Sequence, residues 1–329
     1  MSSSRRVFVV GGTGTIGRAT VRALSEQGHA VVCLVRPTAS AEQVAVLRGM
    51  AGVRVRAGDV AQEASLRNDG LCGEPFDAVV SCLASRTGAP RDAWAIDHHA
   101  HQALLRVAQS AGVPQMIVLS AICVQKPLLA FQQAKLAFER ELMASGLNWS
   151  IVRPTAFFKS LSGQVARVQR GKPFVVFGNG ELTSCKPISD RDLAAYIVGC
   201  LDDVAQHHRI LPIGGPGDAL TPKQQGALLF EVLGREPMYK HVPVAMMDGI
   251  ITVLSTLGRV IPPLEEKAQL ARIGRYYATE SMLVWDAAMQ RYDAAATPST
   301  GADTLAEYFA QRVRGEVGDD RGSHAVFGG

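Results

Sequence analysis

A short β-prone run, Arg6–Val10 (RVFVV), leads directly into the glycine-rich turn GGTGTIG at Gly11–Gly17, after which helix-compatible sequence continues to about Gln27. A strand that stops on a glycine turn and restarts as a helix is the opening of a βα unit, and such units build parallel sheets through helical crossovers. The pattern repeats. Strand candidates follow at Ala30–Val35, Val53–Ala57, Phe76–Leu83, Gln115–Ser120 and Asn148–Arg153, with helix candidates at Ala41–Met50 and Trp94–Ala111. The alternation predicts an α/β, Rossmann-like, predominantly parallel sheet with helices on both faces. A dinucleotide-binding core over 5–153 is expected, then a smaller C-terminal substrate lobe over 154–315 with interleaved returns to the core, and a flexible tail over 316–329, where glycine and charge accumulate.

In this setting the three turn glycines have separate expected tasks. Gly11 permits the tight turn, Gly14 lets the backbone approach a pyrophosphate, and Gly17 allows the emerging helix to pack closely. Thr13, Thr15 and Ile16 complete the loop whose N–H groups meet the phosphates. The spacing is looser than the compact G-x-G-x-x-G form, and the GK[ST] ending of a phosphate-loop NTPase is missing. After the second strand, Arg36 stands where an acidic residue would hold the ribose hydroxyls of NADH. Arg36 with Thr38 suits a 2′-phosphate, so the expected cofactor is NADPH. Asp59 and Val60 follow the third strand beside the expected adenine, with helix capping as the competing role for Asp59. Cys82, Leu83 and Ala84 leave the fourth strand and Ser120 the fifth, at the sheet edge that faces a cofactor.

The chemistry is less conventional than the fold. Phe131 and Lys135 are four apart on a helix candidate and share a face, the spacing at which short-chain dehydrogenases carry a tyrosine and a lysine. Phe131 has no exchangeable proton, which argues against ordinary ketone reduction and leaves Lys135 as the candidate catalytic and ribose-positioning group. His98, His99 and His101 sit beside Asp97 without the spacing of a metal site, so no metal is expected. The six cysteines contain no CxxC pair, and neither an iron–sulfur cluster nor a flavin is expected.

Beyond the sixth strand, Phe157 and Phe158 suit a broad apolar substrate, with Lys159 or Lys186 balancing a peripheral carboxylate. The low-charge tract Val242–Pro263 is broken by Asp248, Gly249, Gly258 and Arg259. It reads first as a buried or pocket-covering helix, with a membrane-surface helix as the alternative and a spanning segment least favoured. A net charge of +4 does not describe a nucleic-acid groove. Strand sequence begins almost at once, so a cytoplasmic setting is expected, with peripheral attachment left open.

Three stretches are more specific than the glycine turn: VRPTAFFKSLSGQV at Val152–Val165, GKPFVVFGNGELTSCKPISDRDLA at Gly171–Ala194 and LPIGGPGDALTPKQQG at Leu211–Gly226. With them the chain resembles, over most of residues 6–310, the divinyl chlorophyllide a 8-vinyl reductases of the atypical short-chain dehydrogenase/reductase, or NmrA-like, superfamily. The resemblance implies NADPH-dependent reduction of the C8 vinyl group of divinyl chlorophyllide a or divinyl protochlorophyllide a to ethyl, in chlorophyll or bacteriochlorophyll synthesis. It also implies a setting at or near the photosynthetic membrane, among pigment-synthesis enzymes. A reductase of another conjugated substrate and a non-enzymatic NADPH-sensing regulator are the competing readings.

Overall fold

The computed structural model describes residues 4–318, so the tail expected at 316–329 lies, from 319 onward, outside the described residues. The described chain divides into two compact units, one formed by residues up to Ser85 with Pro90–Pro154 and Asp190–Leu211, the other by Arg86–Ala89, Thr155–Ser189 and the chain from Pro212.

The first unit runs β1 (Arg6–Val10), α1 (Thr15–Glu26), β2 (Ala30–Val35), α2 (Ala41–Arg48), β3 (Val53–Ala57), α3 (Glu63–Ser65), β4 (Ala78–Ser81), α4 (Pro90–Ala93), α5 (His101–Ser110), β5 (Gln115–Leu119), α6 (Ala130–Met143) and β6 (Asn148–Pro154). It adds α9 (Asp190–Gly199) and most of β8 (Arg209–Ile213), the numbers following chain order. The strands form a sheet ordered β3-β2-β1-β4-β5-β6-β8, parallel at each junction from β3 through β6. The order up to β6 is that of a dinucleotide-binding sheet.

Each strand's composition reflects its position. β4 and β5 are buried throughout (AVVS, QMIVL), because helices cover both faces and leave no solvated side on which to alternate. At the edge, β3 (VRVRA) carries Arg54 and Arg56, charges that blunt an open row of backbone donors and acceptors. Both arginines pair with Glu74, and so does Arg6 of β1. Phe8, Val79, Leu104, Met116 and Ile151 belong to the core, each burial of this kind being worth roughly 1.5–3 kcal/mol. The helix expected over Trp94–Ala111 begins earlier, at α4, and widens into a π-helical stretch, Trp94–Ala100, before α5.

The second unit contains α7 (Phe158–Leu161), α8 (Val165–Gln169), β7 (Phe174–Phe177), α10 (Pro222–Val232), β9 (Tyr239–Val242), α11 (Val244–Gly258), α12 (Pro262–Thr279), the hairpin strands β10 (Val284–Asp286) and β11 (Arg291–Asp293), and α13 (Leu305–Arg314). β7 pairs in parallel with β9, and Phe158, Phe174, Phe230 and Phe309 meet in a separate core. Thr221 caps α10 in a reciprocal box with Gln224, and Pro222 opens the helix.

The tract Val242–Pro263 departs from its first reading. Within α11 only Gly258 is buried, while Met246, Ile250, Val253 and Leu257 are 46–57% exposed. Low charge says that a segment avoids ionised groups without saying what covers it, and here α12 packs against α11 and leaves a long apolar stripe uncovered. No described helix is long and apolar enough to cross a membrane.

Candidate active site

Gly11 has a φ of +79°, and a methyl group added to it would meet the carbonyl carbon of Cys82 at 2.5 Å. At Gly17 an added methyl would lie 2.1 Å from the Gly11 carbonyl oxygen, so the turn and the start of α1 touch through bare backbone. Gly14 has room, with its nearest neighbour at 3.4 Å, and it begins α1 without a capping side chain. No acidic residue occupies the first turn of α1. A tight frame around an open, uncapped helix start fits a dinucleotide pyrophosphate, which supplies the negative charge that such a terminus attracts.

The segment leaving β4 connects this turn to the ionisable groups. Cys82 abuts Gly11, and three residues later the Ser85 N–H donates to Asp97 Oδ1 at 3.2 Å. The same oxygen lies 3.0 Å from Lys135 Nζ, an ion pair in which the Asp97 side chain is fully buried and Lys135 nearly so. Asp97 Oδ2 is buried with no partner among the described residues. One turn on, His101 Nδ1 faces the Ile96 carbonyl at 2.9 Å, and Nε2 lies 2.9 Å from Ser81 Oγ. A carbonyl only accepts, so Nδ1 carries the proton and Nε2 accepts from the serine. Burial, reinforced by the Lys135 charge, pushes the His101 pKa down to about 4.

Beside this pair, Glu139 is one turn beyond Lys135 on α6. Its carboxylate accepts from Ser120 Oγ at 2.5 Å and from the guanidinium of Arg153, and both of its oxygens are engaged. A cavity of about 10 Å³, the scale of a single water, is lined by Asp97, His101, Ser120, Lys135, Phe138 and Glu139. The arrangement is a charged and hydrogen-bonding floor at the carboxyl ends of β4 and β5, whose cations are the Lys135 ammonium and the Arg153 guanidinium.

The NAD(P)H-binding family model matches residues 11–204. The chain is 47% identical to the chloroplastic divinyl chlorophyllide a 8-vinyl-reductase of Oryza sativa subsp. indica, over 99% of this chain and 83% of that protein. It is 46% identical to the protein of the same description from Arabidopsis thaliana, over 96% and 79%. The chain belongs to the divinyl chlorophyllide a 8-vinyl-reductase family. The fold is shared more widely: the structure described as AtPrR2 with NADP+ and (+)pinoresinol superposes with a TM-score of 0.71 at 16% identity, over 94% of this chain and 99% of that one.

For a vinyl-reductase family member, the structure sorts the residues named from sequence. Gly11, Thr13, Gly14, Thr15, Ile16 and Gly17 share the turn and the start of α1, and Leu83 and Ala84 continue from Cys82 along the segment that reaches Asp97. Burial pushes the Cys82 thiol up to about 12 against the opposing pull of its hydrogen bond to Thr20 Oγ1, so this residue contributes its backbone and not a reactive sulfur. Arg36 and Thr38 are exposed beyond β2. Asp59 accepts from the Ala61 N–H, a local turn bond, and Val60 is in the core.

For the other assignments the structure shows what already holds each side chain. Ser120 donates its hydroxyl proton to Glu139. Phe158, expected over substrate, is 4% exposed in the core of the second unit, because the chain turns inward at α7. Lys186 donates to the Thr297 carbonyl and to Ser299 Oγ, two bonds within its own unit. Phe157 pairs through its backbone with Ile188, and Lys159 is half-buried beside it. Sequence reasoning overlooked Asp97, Glu139 and Arg153. The spacing of Lys135 and Glu139 carries a signal for one of them, whereas the neighbours of Asp97 in sequence, His98 and His99, do not point to Lys135. No group of His, Cys, Asp and Glu among the described residues is arranged to hold a metal ion.

Proposed function

We propose that this chain reduces the C8 vinyl group of divinyl chlorophyllide a, or of the closely related divinyl protochlorophyllide a, to ethyl with NADPH. The carrying observation is near-full-length identity of 45–47% to proteins of that description, joined to a nucleotide turn whose β4 exit segment runs to a buried Lys135. Bound NADPH supplies a hydride, and the vinyl group becomes ethyl by gaining that hydride and one proton. Arg36, exposed at the end of β2, favours the 2′-phosphate of NADPH over the bare ribose of NADH.

The chain's own contribution is to bind, orient and stabilise charge. Phe131, buried at the start of α6, offers no proton, so alcohol–ketone interconversion lacks its usual donor on this helix. A negative charge left by hydride addition to a conjugated macrocycle spreads into the ring and needs less local proton donation than an alkoxide. Lys135 supplies positive charge to the reacting centre and a donor for the cofactor ribose. The decisive assay incubates the purified chain with divinyl chlorophyllide and NADPH. A product heavier by two hydrogens is expected, and its formation should fall at least tenfold in Lys135→Ala. Failure of the active wild-type preparation to add two hydrogens would remove this reading in favour of another conjugated substrate, and NADPH binding without any turnover would favour a sensor.

The same reading places the reaction at a membrane surface, reached from the cytoplasm. What supports it is α11, whose apolar stripe is exposed, whose C-cap Arg259 is an exposed cation and whose single acid, Asp248, is neutralised by Arg275. A helix with such a stripe can lie in the plane of a lipid interface, with its apolar side in the acyl boundary.

A further inference from the structure

Asp97 has features that local structure does not require. It sits inside a helix, in the π-helical stretch Trp94–Ala100, where aspartate is a poor former, and its side chain is fully buried. A buried carboxylate with both oxygens bonded is tolerable, as Glu139 illustrates a short distance away on α6. Asp97 is different. Oδ1 takes both the Ser85 N–H and the Lys135 ammonium, while Oδ2 has no partner among the described residues. Leaving a buried carboxylate half-satisfied is costly, and a neutral amide would serve the Ser85 N–H equally well. What an amide cannot supply is the negative charge facing Lys135.

A lysine has a flexible four-carbon stem and loses rotamer freedom when fixed in one conformation. An anion at 3.0 Å, itself held by the backbone that runs back to the glycine turn, offsets that loss and keeps the ammonium in one place. We propose that Asp97 is a positioning residue for Lys135, a charge clamp that sets where the site's cation stands relative to the β4 exit segment. The proposal rests on the assignment of Lys135 to the reductase site. The π-helical widening of the helix supports it, since such insertions recur where a side chain must be re-aimed at a functional position.

The test is a double-variant cycle on the full chain. Asp97→Asn keeps the shape and the acceptor for Ser85 while removing the charge. It is expected to lower kcat 10- to 50-fold, with KM for divinyl chlorophyllide within twofold of wild type and NADPH still bound. Because Asp97 acts through Lys135, the pair Asp97→Asn/Lys135→Met should turn over no more slowly than Lys135→Met alone. Wild-type kcat in Asp97→Asn, or losses that multiply in the double variant, would overturn the clamp. Should Asp97→Asn fail to fold, the double variant, which removes both charges together, still decides. Turnover equal to that of Lys135→Met upholds the assignment, and a further fall of more than threefold rejects it. Full activity in Lys135→Met would instead refute the role of Lys135, an outcome distinguishable from failure of the clamp.

Discussion

At Gly17 an added methyl would lie 2.1 Å from the Gly11 carbonyl, a contact with backbone that has no side-chain torsion to relieve it. Bare backbone at this point lets α1 start directly above the turn, with its N-terminus left for a phosphate. In the proposed reading, Arg36 adds selectivity from the exposed side. Arg36→Ala should raise KM for NADPH about tenfold, the loss of one charge-assisted contact in partly screened surroundings, and change KM for NADH little. Equal effects on both cofactors would remove Arg36 from 2′-phosphate recognition. His101 makes a stability prediction. Its pKa is lowered in the fold, to about 4 from 6.5, so between those values the unfolded chain binds the extra proton. Stability is therefore full above about pH 6.5 and declines as pH falls toward 4, by about 3 kcal/mol. Thermal unfolding followed from pH 7 to pH 4 should show this decline, and His101→Asn should flatten it. An unchanged acid slope in that variant would refute the assignment.

Among the elements, the strands were the most legible. β1, β2 and β3 begin and end where the sequence pattern puts them: β1 and β2 as apolar runs bounded by glycine and polar turns, which have few other uses in a chain of alternating helices, and β3 as an alternation of apolar residues with arginine. The helix before β5 was found but not its π-helical widening, which depends on packing against α6 and has no composition of its own. The short strands β9, β10 and β11 escaped notice because each holds only three or four residues and alternates little. α11 presents the opposite difficulty, a clear apolar tract whose covering is not written in it. If the stripe meets lipid, the chain should float with liposomes rich in anionic lipid, and Ile250→Glu with Val253→Glu should abolish flotation while leaving NADPH binding intact. Flotation that survives both glutamates would remove α11 as the contact.

For the molecule as a whole, NADPH binds the folded chain and not the unfolded one, so saturation at about 100 times its Kd should contribute about 2.7 kcal/mol and raise Tm by about 5 °C. NADH at the same concentration should raise it less. No shift with NADPH would contradict the nucleotide turn itself. Sequence alone was sufficient for the βα alternation, the nucleotide turn and the family, because these are carried by short-range periodicity, by glycines at fixed spacing and by contiguous motifs. It also singled out Lys135 and the absence of a hydroxyl at Phe131. Only the tertiary structure decided which charges face one another. Asp97 and Lys135 are brought together by packing between distant helices, Ser120 is claimed by Glu139, Phe158 is turned into a core, and Lys186 is spent on holding its own unit. The reason is physical: periodicity tells a residue which face of its element it occupies, but burial and pairing depend on what the rest of the chain places opposite that face.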